Sequence, residues 1–399
     1  MQWGLVLILS AVLALHVHST LRESGDHHDL VHWRLISLRL LHREPLAQPE
    51  QPVKIASNGH AQLSDLGPVY PPSTYLLLSP LTILSATPTM VIWLLLRVGC
   101  LWLSWWLTFR YLLGLSFARR DTWLITAILT ALFYPIQEEL VTGQTNSIIL
   151  VLHVLGLIAI QRNRWGGGCL LALGNVLKPQ LHLVWCALAV ERRWAALASG
   201  VITTILIEGA AFWVGGAPLY MAYLHTPRFT MRWVEIFSFL HSHSLTAVIL
   251  RVWRVPQHPE RFPYVMFVVV VAGAALLSYA WRARRLRPTT HTLLYHYAFI
   301  ISWMWLWSPM TDIHHLAWLL LPLWCLWSDL QTEHRSLIRG MFILGYILLA
   351  TRFSLARFPA YQQGWLALLT AGHAAGILLI VWLCLQQFKR RVPVSCDKH

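Results

Sequence analysis

The sequence predicts an all-α protein that crosses a membrane several times, and three observations support this fold class. Hydrophobic residues make up 56% of the 399 residues, charged residues only 12%, and 22 residues are tryptophan. A water-soluble core cannot hide that much apolar surface. Basic residues also gather in short clusters between long apolar runs, as they do in the cytoplasmic loops of membrane proteins.

The apolar runs have lengths typical of membrane-spanning helices. Stretches without Asp, Glu, Lys or Arg cover residues 1–21, 122–137, 140–161, 262–281, 288–311, 313–328 and 358–388. Most of them are long enough to cross a hydrocarbon core, which needs about 20 helical residues. We expect about 12 apolar helices, counting the two arms of a membrane hairpin.

Charge and cysteine content exclude two other classes of protein. The net charge of +14 suggests nucleic acid as a partner, but the basic clusters carry no motif that reads bases. Nucleic-acid binding is therefore not expected. The six cysteines include no CxxC pair, so neither a zinc knuckle nor a disulfide scaffold is indicated.

The first apolar run is expected to be an uncleaved span. No Lys or Arg precedes it and no clean small-residue cleavage site follows it, whereas a signal peptide carries both features. Residues 20–89 then form a long first external loop. Within it, residues 30–43 are predicted to form a helix at the bilayer surface, with His32 on a basic stripe beside Trp33. The apolar but proline-broken piece at 72–88 is predicted to be interfacial or re-entrant.

The threading follows from placing the basic clusters on the cytoplasmic side, which also makes both termini cytoplasmic. Those clusters are Arg119–Arg120, Arg162–Arg164, Arg192–Arg193, Arg282–Arg287, Arg335–Arg339 and Lys389–Arg391. The opposite, external face then holds residues 20–89, the Gly-Gln-Thr-Asn turn at 143–146, a second large loop at 214–262, and the turns at 308–315 and 352–363.

Residues 165–190 are predicted to form a membrane hairpin. Two charge-free arms flank Lys178, and each reaches only about 20 Å, short of the roughly 30 Å hydrocarbon core. The alternative is a single span kinked at Pro179, with Lys178 snorkelling to an interface. That alternative would reverse the threading of everything downstream, so the hairpin is favoured. It carries Lys178 into the outer half of the membrane, where an anion or water must meet the ammonium group.

An ordered set of motifs resembles glycosyltransferase family 87, the polyprenol-phosphate-mannose-dependent mannosyltransferases of the GT-C superfamily. The set consists of Tyr70-Pro71-Pro72, Gly143-Gln144-Thr145-Asn146, Leu177-Lys178-Pro179, Arg192-Arg193-Trp194, Ser308-Pro309 and His314-His315-Leu316. The resemblance runs from about Asp29 to the last spans. It implies one GT-C-like membrane domain over 1–399. The implied enzyme is an inverting hexosyltransferase of the plasma (inner) membrane and cell envelope.

Three positions depart from the family pattern. Trp33 stands where the family has tyrosine after the first-loop aspartate. The family's Asn-x-Ser becomes Ser242-His243-Ser244, and residues 311–313 read Thr-Asp-Ile in place of the usual order. These departures concern the expected acceptor side more than the donor side.

The resemblance implies that a hexose, with mannose expected, moves from a polyprenyl phosphate to a lipid or glycan acceptor at the external face. Such a reaction needs a base for the acceptor hydroxyl and cations for the departing phosphate. Asp29 matches the family's catalytic aspartate, with Asp26 as its competitor. Lys178, His314 and His315 are the candidates for the donor phosphate. Side-chain cations suffice for a lipid monophosphate, so neither a metal nor another cofactor is expected.

Further polar residues are candidate substrate-binding groups with open alternatives. They are Tyr70, Gln144, Asn146 and Glu139. Gln144 and Asn146 are equally suited to capping the following span. For Glu138 and Glu139 a structural role in capping the turn is favoured over contact with the acceptor. Adjacent histidines point about 100° apart on a helix, so one of the pair is expected to face the site. Glu208 lies inside an apolar run, where a carboxylate is either paired or functional.

Two other functions compete with a transferase. A secondary transporter of a small or lipid-linked solute concentrates polar groups near the bilayer midplane and is often built from inverted repeats. The pattern of residues 142–194 has no convincing repeat in the second half, and the polar groups collect in external turns. An enzyme acting on lipid at one face is therefore favoured. A scaffold subunit is the third possibility.

Overall fold

All the regular secondary structure in the described part of the chain is helical. The computed structural model describes residues 4, 6, 8–13, 28–42, 70–115, 120–224, 242–283, 292–308, 311–331, 335–352 and 358–390. The all-α prediction is confirmed. Asp26, Arg43 and Pro309 lie outside the described residues, as do residues 20–27, 43–69 and 225–241 of the two predicted external loops.

The helices follow one another along the chain with short breaks. They are α1 (His28–His42), α2 (Pro72–Leu78), α3 (Ala86–Leu107), α4 (Arg120–Leu132), α5 (Tyr134–Thr142), α6 (Asn146–Gln161), α7 (Gly166–Leu177), α8 (Trp185–Val190), α9 (Trp194–Leu224), α10 (Leu245–Val252), α11 (Phe262–Ala283), α12 (Thr292–Trp307), α13 (Leu320–Leu330), α14 (Ser336–Ala350) and α15 (Gly372–Arg390). Short 3₁₀ segments include Ser79–Thr82, Pro179–Val184, Ile313–Leu319 and Gly364–Thr370.

Several helices have the length and composition of membrane spans. Among the described residues three qualify outright, namely Ala86–Leu112, Trp194–Leu224 and Pro259–Tyr279. The number rises to as many as five if each of two bent helix pairs is one span. Helix α9 turns apolar side chains outward, and Trp213 is 91% exposed. Such a surface is stable in lipid but not in water. The chain is therefore a multi-pass membrane protein, as predicted, while the number of about 12 helices stays a prediction.

The chain divides into two compact units, each built from three stretches of sequence. The first unit contains residues 1–107, 136–182 and 194–233, and the second contains 108–135, 183–193 and 234–399. The prediction of one integral domain over 1–399 remains a prediction.

Glycines bring the helices of the first unit close together. A Cβ atom on Gly167 in α7 would lie 2.5 Å from the carbonyl oxygen of Gly156 in α6. One on Gly168 would lie 1.8 Å from the carbonyl oxygen of Ala196 in α9. Small residues that permit such close backbone approach are typical of helix packing in membranes.

Helix α1 is present where the sequence predicts a surface helix, but one face of it is buried within the first unit. Trp33 and Ile36 are fully buried, and α1 contacts α2 and the 3₁₀ turn that follows it. His32, which the sequence placed on a basic stripe, is also buried, and its Nε2 atom lies 3.2 Å from the Tyr75 hydroxyl. That part of the prediction is wrong because a helix pattern does not reveal a polar partner on another segment.

The predicted hairpin begins as a regular helix and continues less regularly. Helix α7 ends at Leu177, because Pro179 disfavours a helical conformation at Lys178, which is extended. The Ser199 hydroxyl near the start of α9 donates a 2.6 Å hydrogen bond to the Trp165 carbonyl. Residues 165 and 199 are therefore close together, and the membrane hairpin over 165–190 stays a prediction.

Helix α9 folds back near its end and gives Glu208 its partners. Gly216 has φ 65°, a conformation that glycine adopts without strain, and Pro218 follows it. The fold brings the Tyr220 hydroxyl within 2.7 Å of the Glu208 carboxylate, and Ser73 donates to the other oxygen at 2.7 Å. Glu208 is thus paired, one of the two outcomes that the sequence left open.

The second unit is organised around α12, which is buried along most of its length and contacts α13 and α15. Two consecutive residues of α12 hold acidic partners. The Tyr295 hydroxyl donates to the Asp329 carboxylate, and the His296 ring hydrogen-bonds the Glu191 carboxylate. These contacts tie the end of α13 and the exit of the hairpin to the core of this unit.

Candidate functional site

Three of the predicted site residues meet in the first unit. The Gln144 side-chain amide donates to the Asp29 carboxylate at 2.5 Å and to the Tyr70 hydroxyl at 3.3 Å. Asp29 and Tyr70 are partly exposed, whereas Gln144 is 1% exposed. A buried amide thus holds a carboxylate that is open to its surroundings, which is the arrangement that a general base requires.

Helices α1 and α2 position this cluster through Tyr75. The Tyr75 hydroxyl accepts a 3.0 Å hydrogen bond from the Tyr70 backbone N–H and contacts His32 of α1. Ser37, also on α1, donates to the Tyr75 carbonyl at 3.0 Å. Asp29 lies in the first turn of α1. The fold of this corner therefore fixes the distance between Asp29 and Tyr70.

Helix α3 anchors the turn that carries Gln144. Trp93 donates from its indole N–H to the Gly143 carbonyl at 2.7 Å. One turn later, Arg97 donates to the Glu139 carbonyl at 2.8 Å. Arg97 is fully buried, and its positive charge sits near the C-terminal end of α5, where a helix dipole favours a cation.

Arg97 was missed by sequence reasoning, although a signal was available. It is a charged residue in the middle of an apolar helix, and such residues are usually paired or functional. Besides the Glu139 carbonyl it interacts electrostatically with the Glu139 and Asp29 carboxylates. Arg97 thus contributes positive charge close to the proposed base.

Glu139 caps the next helix. Its side chain is fully buried and accepts hydrogen bonds from the Ser147 backbone N–H at 3.1 Å and from the Ser147 hydroxyl at 2.6 Å. A carboxylate at the N-terminus of α6 is favoured by the helix dipole. This is the capping role that the sequence left open for Glu139, and Ser147 occupies both carboxylate oxygens.

Lys178 and Asn146 are buried in the same unit. Lys178 terminates α7, is 1% exposed and interacts electrostatically with Glu139. Asn146 is the first residue of α6 and is also 1% exposed. Lys178 therefore has an acidic partner in this unit, and its predicted role towards a phosphate stays a prediction.

The histidine pair lies in the second unit, at the start of a 3₁₀ helix. His315 is 8% exposed and its ring stacks on Trp305 at 4.7 Å between centroids and 9° between planes. The Asp312 backbone N–H donates to His315 Nδ1 at 3.1 Å, and the Asp312 side chain accepts from the His315 backbone N–H. His314 is partly exposed, and its ring lies 4.2 Å from that of His315.

This capping contact decides which nitrogen of His315 carries the hydrogen. Because Nδ1 accepts a hydrogen bond, the neutral ring has its hydrogen on Nε2. His315 is therefore a hydrogen-bond donor even without a positive charge. A donor of this kind suits a phosphate oxygen.

The same contact bears on how a metal ion could bind at this corner. The ligand atoms of Asp312, His314 and His315 lie within 4.8 Å of one another, a spacing that one ion can bridge. Metal binding through Nε2 of His315 would move its hydrogen to Nδ1, which faces the Asp312 N–H. A metal ion bound through this nitrogen would therefore displace the contact, and the expectation that no metal is needed stays a prediction.

The loop that departs from the family pattern joins the histidine segment through backbone contacts. Thr311 donates from its N–H to the Ser242 hydroxyl at 3.1 Å and accepts from the His243 N–H at 2.7 Å. Arg251 donates to the Ser242 carbonyl at 3.1 Å, and burial lowers the pKa of its guanidinium to about 10. Arg251 is thus cationic at neutral pH.

A second pair of imidazoles lies beside this loop. His243 and His373 approach to 3.1 Å between their Nδ1 atoms. Sequence reasoning missed His373, which lies in the first turn of α15, 130 residues after His243.

Comparison with known proteins identifies a family and one distant relative. The profile of glycosyltransferase family 87 matches residues 69–309, more than half of the chain. The chain is also similar to an α-(1→3)-arabinofuranosyltransferase of Corynebacterium glutamicum, with 30% identity over 158 residues. That alignment covers 38% of this chain and 37% of the relative. No solved structure matches the chain.

Proposed function

Because the chain belongs to glycosyltransferase family 87 and is a membrane glycosyltransferase, we propose that it moves a hexose from a polyprenyl-phosphate sugar to a lipid or glycan acceptor. Mannose is the first candidate, from the motif resemblance. The named activity of the corynebacterial relative makes arabinofuranose the second candidate. We place the reaction at the external face of the plasma (inner) membrane, the side assigned to the Gly143–Asn146 turn by the threading.

Asp29 is the proposed general base, and its contact with Gln144 is the observation that carries the proposal. The acceptor hydroxyl gives its proton to the Asp29 carboxylate while its oxygen bonds to the anomeric carbon of the donor. The bond from that carbon to the phosphate oxygen breaks, and polyprenyl phosphate leaves with the electron pair. Attack from the face opposite the phosphate inverts the anomeric configuration.

The departing phosphate needs positive charge or N–H donors. Lys178, His314 and His315 are the proposed ligands. His315 supports this role best, because its Nε2 carries a hydrogen and stacking on Trp305 holds its ring. The leaving group is a lipid monophosphate, so the proposal includes no metal and no other cofactor.

Reconstitution of the purified protein tests the function. Polyprenyl-phosphate mannose and polyprenyl-phosphate arabinofuranose are each supplied with a membrane lipid extract, and mass spectrometry follows donor and products. We expect one donor to be consumed and one lipid or glycan to gain a single sugar. Movement of an intact labelled lipid between leaflets would identify a transporter. If neither sugar transfer nor lipid movement is observed, the scaffold interpretation remains.

A further inference from the structure

Thr145 occupies the N-cap position of α6, but its hydroxyl does not cap the helix. Threonine at this position normally accepts a hydrogen bond from a backbone N–H one turn ahead. Here the Glu139 carboxylate takes the Ser147 N–H instead. The capping function is thus supplied by another residue, and the Thr145 hydroxyl is left for a different use.

That hydroxyl is buried and has no hydrogen-bond partner within the described part of the chain. Thr145 is 1% exposed, and its Oγ1 atom is shielded from solvent. The side-chain oxygen Oε1 of the adjacent Gln144 is also buried and also has no hydrogen-bond partner among the described residues. Buried polar atoms without partners are rare in native proteins because they cost stability. Two on consecutive residues require an explanation.

Gln144 cannot satisfy its oxygen by rotating the amide. Its nitrogen is held by Asp29 at 2.5 Å and by Tyr70 at 3.3 Å, and the carboxylate contact needs an N–H donor. Rotation would bring Oε1 against the Asp29 carboxylate, which offers no hydrogen when ionised. The orphaned oxygen is therefore fixed beside the proposed base.

We propose that Thr145 and Gln144 together bind hydroxyl groups of the sugar ring that lies against Asp29. A sugar hydroxyl donates to Gln144 Oε1, and a second one exchanges a hydrogen bond with the Thr145 hydroxyl. This inference rests on the proposed function and adds Thr145 as a residue that determines which sugar is accepted. A site built to pair with hydroxyls rejects a ring that lacks them, because its own polar atoms stay unpaired.

The replacement Thr145→Val tests the proposal through two opposite effects. Valine keeps the shape and removes the hydroxyl, so an orphaned buried atom disappears from the unliganded protein. We expect the thermal midpoint of the purified protein to rise by about 2 °C. We expect kcat/KM for sugar transfer to fall by about tenfold, the effect of one lost hydrogen bond to substrate. Thr145→Ser keeps the hydroxyl and should retain most of the activity.

Thr130→Val is the matched control. Thr130 is also fully buried, but its hydroxyl donates to the Thr126 carbonyl at 2.7 Å and accepts from the Trp324 indole at 3.0 Å. Losing a satisfied hydroxyl should lower the thermal midpoint and leave kcat/KM unchanged. A fall in the thermal midpoint of Thr145→Val like that of Thr130→Val would overturn the proposal, because it would give the Thr145 hydroxyl a structural partner.

Ligand binding separates the donor sugar from the acceptor sugar. Polyprenyl-phosphate mannose and sugar-free polyprenyl phosphate are compared as stabilisers of wild type and Thr145→Val. Loss of the extra stabilisation that the sugar confers would assign the hydroxyl to the donor ring. If Thr145→Val keeps this extra stabilisation but transfers sugar more slowly, the hydroxyl binds the acceptor ring. If the variant keeps both the extra stabilisation and normal transfer, the proposal is overturned.

Failure of the proposed function gives a different result. If the wild type transfers neither mannose nor arabinofuranose, the proposed reaction is wrong. The stability comparison and the binding of polyprenyl-phosphate mannose still decide the role of Thr145 in that case. A raised midpoint with weaker sugar-dependent stabilisation supports a sugar-hydroxyl site, and any other combination contradicts it.

Discussion

The proposed base in the first unit and the proposed phosphate ligand in the second unit are held in different ways. Around the base, the contacts run between side chains, from Asp29 to Gln144 and from Gln144 to Tyr70. Around His315 they involve backbone N–H groups, from the Asp312 N–H to His315 and from the Thr311 N–H to Ser242. The first arrangement presents a carboxylate and the second presents N–H donors.

We propose that this difference reflects a division of chemical roles. A carboxylate can take a proton as a general base. An imidazole whose Nδ1 is bonded to the backbone keeps an N–H that can bind a phosphate oxygen. If this division is correct, substitutions in the first unit should lower turnover, and substitutions in the second unit should lower donor affinity.

Replacement of the proposed base has the largest expected effect. Asp29→Asn keeps the volume of the side chain but cannot take the proton. We expect turnover to fall by about 10² or more, with expression and donor binding nearly intact. Single-turnover transfer and equilibrium binding of the labelled donor measure the two quantities separately.

Asp26→Asn is the control for this experiment, and it should keep near-normal turnover. If Asp26→Asn is inactive while Asp29→Asn is active, the assignment within the first loop is wrong. Activity in both variants would place the base elsewhere and make Glu138 the next candidate. Glu139 is less suited to that role, because Ser147 already occupies both of its carboxylate oxygens.

The second prediction concerns the N–H donor of His315. His315→Ala should weaken donor binding by about 30-fold, the scale of a hydrogen bond to a charged group, and leave bound donor reactive. His315→Gln, which restores an N–H donor, should recover part of the affinity. A loss of turnover without a loss of affinity would break the division between the two units.

Substitutions of Asp312 test whether its backbone N–H orients the His315 ring for donor binding. Asp312→Ala removes the carboxylate but keeps the backbone N–H that fixes the His315 ring, whereas Asp312→Pro removes both. Residue 312 has φ −74°, which proline tolerates. We expect the proline variant to bind donor more weakly than the alanine variant. Equal affinities would show that the backbone contact is not needed.

Lys178 is an exception to the division between the two units, because it lies in the first unit but is predicted to bind phosphate. Lys178→Met keeps the apolar stem and removes the charge. We expect donor affinity to fall by about tenfold while turnover of bound donor is retained. Lower thermal stability with unchanged donor affinity would assign the lysine to Glu139, its acidic neighbour.

Much of the fold and part of the site were predictable from the sequence. Composition and apolar runs predicted the all-α membrane class, and the order of motifs predicted the family. The break at Lys178–Pro179 followed from the local chemistry of proline. These features depend on composition or on neighbouring residues, and therefore a linear pattern contains them.

The partners of the polar residues were not predictable. Asp29 and Gln144 are 115 residues apart, and Arg97 reaches Glu139 across 42 residues. Helical periodicity gives the face on which a side chain lies but not the segment that packs there. For the same reason His32 was placed on the basic stripe of a surface helix, although it is buried beside Tyr75. Glu139 was similarly left between a capping and a binding role.

The smallest expected effect belongs to Glu208, a partly buried acid outside the proposed site. Its two carboxylate oxygens accept from Ser73 of α2 and from Tyr220, and the Tyr220 contact closes the fold-back of α9. Glu208→Gln exchanges one acceptor for an N–H₂ group, so one hydroxyl loses its partner. We expect the free energy of unfolding to fall by about 1 kcal/mol, with sugar transfer unchanged. Tyr220→Phe should cost a similar amount, and the double variant should cost less than the sum, because the two changes remove the same contact. Reduced transfer at normal stability would instead give this acid a functional role and add a third polar region to the comparison.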